Sequence, residues 1–193
     1  RNRVDACPGN YRTPVGILGF GAIGSRVVDL LAPMGLDPWV YDPFMSPDAI
    51  RRRGGRPATL EAVFSGCRTI SCHLADKPET RGMLDYALFS RMGSSAAFLN
   101  TGRGAQVRED DLARALREEP GRFAILDVTC PEPPTRDHPF RGLDNILFTP
   151  HIAGSTGREI LRLGEFAADE LDRYLDGQPL LGEVRQEDLS RMA

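Results

Sequence analysis

A short apolar run that ends in a glycine-punctuated turn constrains this chain more than any other feature. Val15-Gly-Ile-Leu-Gly19 has the pattern of a strand buried on both faces. Gly19, Gly21 and Gly24 then form a Gly-x-Gly-x-x-Gly loop. The loop opens the segment 23–34, where Ile23, Val27, Leu30, Leu31 and Met34 recur at helical spacing and Pro33 and Gly35 mark the end. Pro38-Trp-Val-Tyr-Asp42 reads as a second strand, stopped by Pro43. A strand, a glycine turn, a helix and a second buried strand specify a parallel βαβ unit and exclude an all-helical chain.

The rest of the chain keeps the alternation. Strands are predicted at 69–74, 96–100, 123–128 and 145–149, and helices at 59–65, 85–92, 108–119 and 156–175. In 108–119, Leu112, Ala115 and Leu116 face inward and the charges outward. In 156–175, Thr156 and Glu159 have capping-box spacing, Ile160, Leu163, Ala167, Leu171 and Tyr174 line one face, and Gly177 follows as a C-terminal cap. The expected fold is α/β, a doubly wound parallel sheet of Rossmann type, with residues 178–193 unassigned.

Composition narrows the function. A length of 193 residues suits one domain, and a net charge of −3 argues against a general nucleic-acid or membrane surface. Arg51-Arg52-Arg53, the one basic cluster, reads as a solvated face. No stretch approaches membrane-spanning length and no signal peptide opens the chain. Cys7, Cys67, Cys72 and Cys130 lack zinc-ligand spacing, so no metal is expected; they read as buried free thiols in a reducing cytoplasm. The first residue, Arg1, rather than a methionine, points to a fragment or a processed product.

The glycine loop has its own chemistry. Gly19 permits the tight turn, Gly21 lets backbone approach a pyrophosphate, and Gly24 allows close helix–strand packing. Free N–H groups at the helix start attract phosphates. Asp42, at the end of the second strand, can accept from both ribose hydroxyls and would repel a 2′-phosphate, which favours NAD over NADP. Three further residues lie just past strand ends: Arg103, Glu132 and His151. Ligands of open parallel sheets bind beyond the carboxyl ends of the strands. A guanidinium, a carboxylate and an imidazole gathered there suit a reaction centre. The imidazole titrates near neutrality and can move a proton.

The motifs around these residues resemble the D-isomer-specific 2-hydroxyacid dehydrogenases. The resemblance rests on Val15–Gly24, Tyr41-Asp42-Pro43, His73…Pro78-Glu79-Thr80-Arg81, Asn100-Thr101-Gly102-Arg103-Gly104, Asp127-Val128…Glu132-Pro133-Pro134 and Thr149-Pro150-His151-Ile152-Ala153-Gly154, in family order. It implies hydride transfer between NAD and a small 2-keto or D-2-hydroxy acid. His151 would be the general acid/base, Glu132 would fix its tautomer, and Arg103 would bind and polarise the substrate. It further implies that the backbone of Ala22 and Ile23 meets the pyrophosphate and that Thr101, Gly102 and Arg103 meet the nicotinamide side. His151 and Gly154 would border the cofactor, Asp127 would accept from the carboxamide, and Leu74 would line the groove. His73 reads as a satisfied strand-end histidine, and Cys130 lacks a partner base.

Family members normally carry a second, substrate-binding domain built mostly from chain preceding the glycine loop. Residues 1–14 are therefore expected to be a remnant of the interdomain segment, 15–176 the NAD-binding domain and 177–193 a tail. By the same resemblance the chain is expected to form a homodimer in the cytoplasm. The alternative is a dinucleotide-binding, redox-sensing module without effective catalysis.

Overall fold

The computed structural model describes residues 9–186, which leaves Cys7 and the ends of both expected terminal segments outside it. Seven parallel strands form one sheet: β1 (Pro14–Leu18), β2 (Asp37–Tyr41), β3 (Arg56–Pro57), β4 (Thr69–Cys72), β5 (Ala97–Asn100), β6 (Phe123–Leu126) and β7 (Ile146–Phe148). Their order, β3-β2-β1-β4-β5-β6-β7, is the doubly wound arrangement with a switch point between β1 and β4. The helices are α1 (Ala22–Leu31), α2 (Pro47–Arg52), α3 (Leu60–Gly66), α4 (Tyr86–Phe89), α5 (Glu109–Glu118) and α6 (Arg158–Leu175).

Alternation along the strands sends side chains to both faces of the sheet. Val15 and Ile17 pack with Phe20, Val28, Val40 and Ile50 on one face. Leu18, Val63, Ile70 and Phe98 belong to the larger cluster on the other. At its centre Phe64, Phe89 and Phe98 pack edge-to-face and stacked, with Phe89 and Phe98 centroids 5.2 Å apart.

Helix α5 buries Leu112, Ala115 and Leu116 as its periodicity requires. Helix α1 does not follow its largest side chains. It turns Gly24, Ser25 and Val28 inward and leaves Ile23 and Leu30 more than 60% exposed, and it ends at Leu31, short of the expected 34, in a 3-10 turn where Met34 is equally exposed. The helix is pulled onto the sheet where only a glycine fits, and that fixes its rotation. Helix α2 and strand β3 add to the elements expected from the sequence, and Ser46-Pro47-Asp48 carries the start signal of α2: the Ser46 hydroxyl accepts from the Ala49 N–H. The Arg51–Arg53 cluster lies here; Arg51 pairs with Asp48 and Arg53 with Asp29 at the surface.

Helix α6 departs further from expectation. The capping box does not form: Gly157 is the N-cap and no side chain caps it. Ile160, Leu163, Ala167, Leu171 and Tyr174 are exposed rather than inward-facing. Amphipathic periodicity shows which face requires cover, but not whether anything described here supplies it. The C-terminal end is as anticipated. Gly177 takes φ +66°, its N–H donates to the Tyr174 carbonyl, and the Gln178 N–H reaches Arg173.

A Cβ on Gly24 would sit 1.9 Å from the Gly19 carbonyl oxygen. Replacing Gly24 by alanine should gain about 1 kcal/mol of helix propensity and lose about 3 kcal/mol to the clash. A net fall in denaturation midpoint is expected on urea titration, and an unchanged midpoint would contradict this packing.

Candidate active site

Each site segment begins where a strand ends, so sheet order decides which segments meet. After β1, Gly19 takes φ +93°, and a Cβ there would lie 2.5 Å from the His73 carbonyl oxygen. The Gly19 N–H donates to Tyr41 and the His73 N–H to Leu18, which ties the loop to β2 and to the segment after β4. Gly21 faces open space: a Cβ on it would meet nothing within 4 Å. Ala22 and Ile23 open α1, whose first N–H groups have no partner inside the helix.

Asp42 closes this half of the site. One carboxylate oxygen accepts from the Phe44 and Met45 N–H groups at 2.7 and 2.9 Å, the other from the Phe20 N–H at 2.6 Å. With three acceptor positions filled, one lies open on the second oxygen. The expectation that both ribose hydroxyls could be accepted is thereby narrowed. Beside it a hollow of about 300 Å³ is lined by Val40, Asp42, Met45, Pro57, Ala58 and Thr59.

Past β5, buried Asn100 organises the arginine turn. Its side-chain amide donates to the Arg103 carbonyl at 2.8 Å, and its oxygen accepts from the Gly102 N–H at 3.0 Å. The Arg103 guanidinium is exposed, with one bond to the Gly102 carbonyl. Thr101 is exposed, and Gly104 lies against the next segment, where a Cβ would be 2.2 Å from the Thr129 carbonyl carbon. The arginine and glutamate segments are in backbone contact.

Past β7, His151 adopts φ +51°, a left-handed conformation uncommon for a residue with a side chain. Its N–H donates to the Asp127 carbonyl at 3.0 Å. Asp127 is 3% exposed, and its carboxylate accepts from the Thr149 hydroxyl and from the N–H groups of Ile152 and Ala153. Burial pushes this carboxyl up, but the Thr149 hydroxyl, the Ala153 and Ile152 N–H groups and nearby His151 outweigh it and hold it below its ordinary value. A buried carboxylate thus shapes the turn that presents the imidazole. His151 Nδ1 meets Glu132 Oε1 at 2.5 Å, which leaves Nε2 directed away from that bond. An ionised carboxylate only accepts, so Nδ1 carries the proton of this bond.

Several expectations change here. Leu74 is 5% exposed and its side chain belongs to the core, so its backbone, not its side chain, borders the glycine loop. Asp127 spends three of its acceptor positions on the histidine turn. Cys67 and Cys72 are buried, their thiols pushed up to about 12 and about 11 by burial, whereas Cys130 is exposed rather than buried. His73 accepts or donates at Nε2 to the Ser71 hydroxyl, 2.9 Å away. Gly154 is exposed, past the Asp127-bound turn. No group of three or more metal-ligating side chains occurs among the described residues. Sequence reasoning missed Asn100 and Thr149 as organisers, although both stand inside the motifs quoted above.

The model of the D-isomer-specific 2-hydroxyacid dehydrogenase NAD-binding domain matches residues 5–153. The chain belongs to that family. As its NAD-binding domain, it uses NAD as cofactor. YoaD of Bacillus subtilis, named as a 2-hydroxyacid dehydrogenase, is 40% identical over 74% of this chain and 41% of its own length. Hydroxypyruvate reductase of Blautia hydrogenotrophica is 31% identical over 86% of this chain and 51% of its own. The fold matches D-lactate dehydrogenase of Lactobacillus jensenii with NAD+ at a TM-score of 0.75 and 23% identity, over 91% of this chain and 56% of that one. This chain spans about half the length of these relatives. No helix among the described residues is long and apolar enough to cross a membrane.

Asp127→Asn keeps the shape but turns an amide N–H toward a backbone N–H, a mismatch worth about 1–3 kcal/mol. Because the folded-state value of Asp127 is lowered, its stabilisation is present above the ordinary value of 3.8 and fades as pH falls through the lowered one. The stability gap between wild type and Asp127→Asn, measured by urea unfolding, should therefore be widest near neutrality and close in acid.

Proposed function

We propose that this chain is the cofactor-binding part of an NAD-dependent dehydrogenase of small 2-keto and D-2-hydroxy acids. The observation that carries the proposal is the 2.5 Å contact between His151 Nδ1 and Glu132, formed beyond the strand ends where the glycine loop also opens. A binding module has no need of an oriented proton donor. The glycine loop suits the cofactor: Gly21 leaves room for a pyrophosphate, Asp42 keeps one acceptor for a ribose hydroxyl, and the neighbouring hollow has apolar walls for a flat ring. Asp42 also sets a negative charge where a 2′-phosphate would lie, in keeping with NAD.

When bound, the nicotinamide supplies or takes up the hydride at the carbonyl carbon. The chain's own residues do the rest. Arg103, planar and permanently charged, pairs with the substrate carboxylate and draws electron density toward the carbonyl oxygen. His151 Nε2 gives that oxygen a proton in reduction and takes it back in oxidation, while Glu132 holds Nδ1 and stabilises the charge that alternates on the ring. Asp127 and Asn100 hold the histidine and arginine turns in place.

A second reading, a dinucleotide-binding module without effective catalysis, draws on one observation. The His151 and Glu132 side chains are 45% and 40% exposed, so the described residues leave water at the pair.

Two variants separate the readings. Gly21→Ala should keep the wild-type melting temperature, because nothing lies within 4 Å of the added methyl, yet weaken NADH binding about tenfold or more. His151→Asn should keep NADH binding and lower turnover of small 2-keto acids by about 100-fold or more. Turnover that survives His151→Asn overturns the role assigned to this residue. Binding without turnover in the wild type favours the second reading.

A further inference from the structure

Outside the reacting pair, the described residues contain a second histidine–carboxylate contact that no part of the proposed chemistry uses. His138 Nε2 lies 2.8 Å from Glu109 Oε2, and both side chains are less than a tenth exposed. Glu109, the first residue of α5, spends its other oxygen on the Cys130 N–H at 2.9 Å. Cys130 stands two residues before Glu132. The His138 ring packs on Phe140 and Phe148, with centroids 5.0 and 6.5 Å away, and Phe148 ends β7 three residues before His151. The pair therefore touches the arm that carries Glu132 and the strand that delivers His151.

We propose that Glu109 and His138 are positioning residues that set the register of the Glu132 arm against the His151 turn. The proposal rests on the dehydrogenase reading for its relevance, since it concerns how the proton-transferring pair is kept aligned. Neither residue touches the reacting atoms.

The arrangement is costly, which argues that it holds something in place. His138 Nδ1 is buried and finds no hydrogen-bond partner among the described residues. With Glu109 ionised and accepting, Nε2 carries the proton of their bond, and Nδ1 is a second polar ring atom buried at a cost. Burial pushes the Glu109 carboxyl up, as does Asp110 beside it, while the Cys130 N–H and the His138 ring pull it back. An apolar pair of similar volume would fill this space without the penalty. What it would not do is hold the Cys130 N–H at a fixed point ahead of Glu132.

The test reads the tautomer of His151 rather than activity. The chain has three histidines, so ring nitrogens can be resolved by long-range ¹H–¹⁵N correlation on this polypeptide. In the wild type, with the ring neutral, His151 should be held as the Nδ1–H tautomer by Glu132. Glu109→Gln and His138→Leu should shift it about tenfold toward the Nε2–H form that free imidazole favours. His138→Gln, whose amide can still donate to Glu109, should retain the wild-type tautomer.

Thermal melts of the same samples confirm that each variant is folded. A folded Glu109→Gln or His138→Leu with an unchanged His151 tautomer overturns the proposal, as does equal loss in His138→Gln. NADH binding, measured in parallel, keeps the two readings apart. Absent binding with the expected tautomer shift would sink the dehydrogenase reading and leave the positioning role standing. Intact binding with no shift would do the reverse.

Discussion

Asp127 sits at the carboxyl end of β6 with its carboxylate shut away from water, and such a charge must be met by donors or not carried at all. The donors come from one place, the turn after β7: the Thr149 hydroxyl and the Ile152 and Ala153 N–H groups. In gathering them the carboxylate bends the chain at Pro150 and His151 so that the imidazole stands at the sheet edge in a left-handed backbone conformation. A strain of order 1–3 kcal/mol at His151 is sustained because the surrounding bonds over-determine it. Without that anchor the Glu132 contact would have no fixed partner.

The same logic recurs at the neighbouring strand ends. Asn100 stitches the turn that bears Arg103, and Asp42 stitches the glycine loop to the end of β2, each through backbone groups. Three strand-end polar side chains thus serve as staples, and the groups that would meet substrate or cofactor ride on the turns they make. Parallel strands bring all of these turns to one edge. The proposed chemistry is local to that edge, while the aromatic core around Phe64, Phe89 and Phe98 supplies a rigid base.

Much of this was legible in the residues. Buried runs such as 15–19 and 69–74, punctuated by glycine and separated by helical periods, specify a parallel sheet, and Arg103, Glu132 and His151 announce themselves by standing past strand ends. The rotation of α1 was not legible, because apolar spacing ranks side chains by size whereas the contact is made by Gly24 against backbone. The exposure of α6 was hidden for a different reason: periodicity describes a helix, not its surroundings. Glu109 and His138 escaped notice since 29 positions separate them, and no local pattern joins a helix start to a loop. Only the family resemblance points Asp127 toward the cofactor, and only the donors around it reveal how many of its acceptor positions are already taken.

Gly104 carries a consequence for how variation in this chain would be interpreted. Its backbone lies so close to Thr129 that any side chain must push the arginine and glutamate segments apart. Under the role proposed for Arg103, a mutational scan scored by turnover would find position 104 as intolerant as 103, although Gly104 contributes no functional group. Scoring cellular abundance beside turnover would divide the two. Arg103 variants should remain plentiful and inert, whereas Gly104 variants should be depleted in proportion to the bulk they introduce.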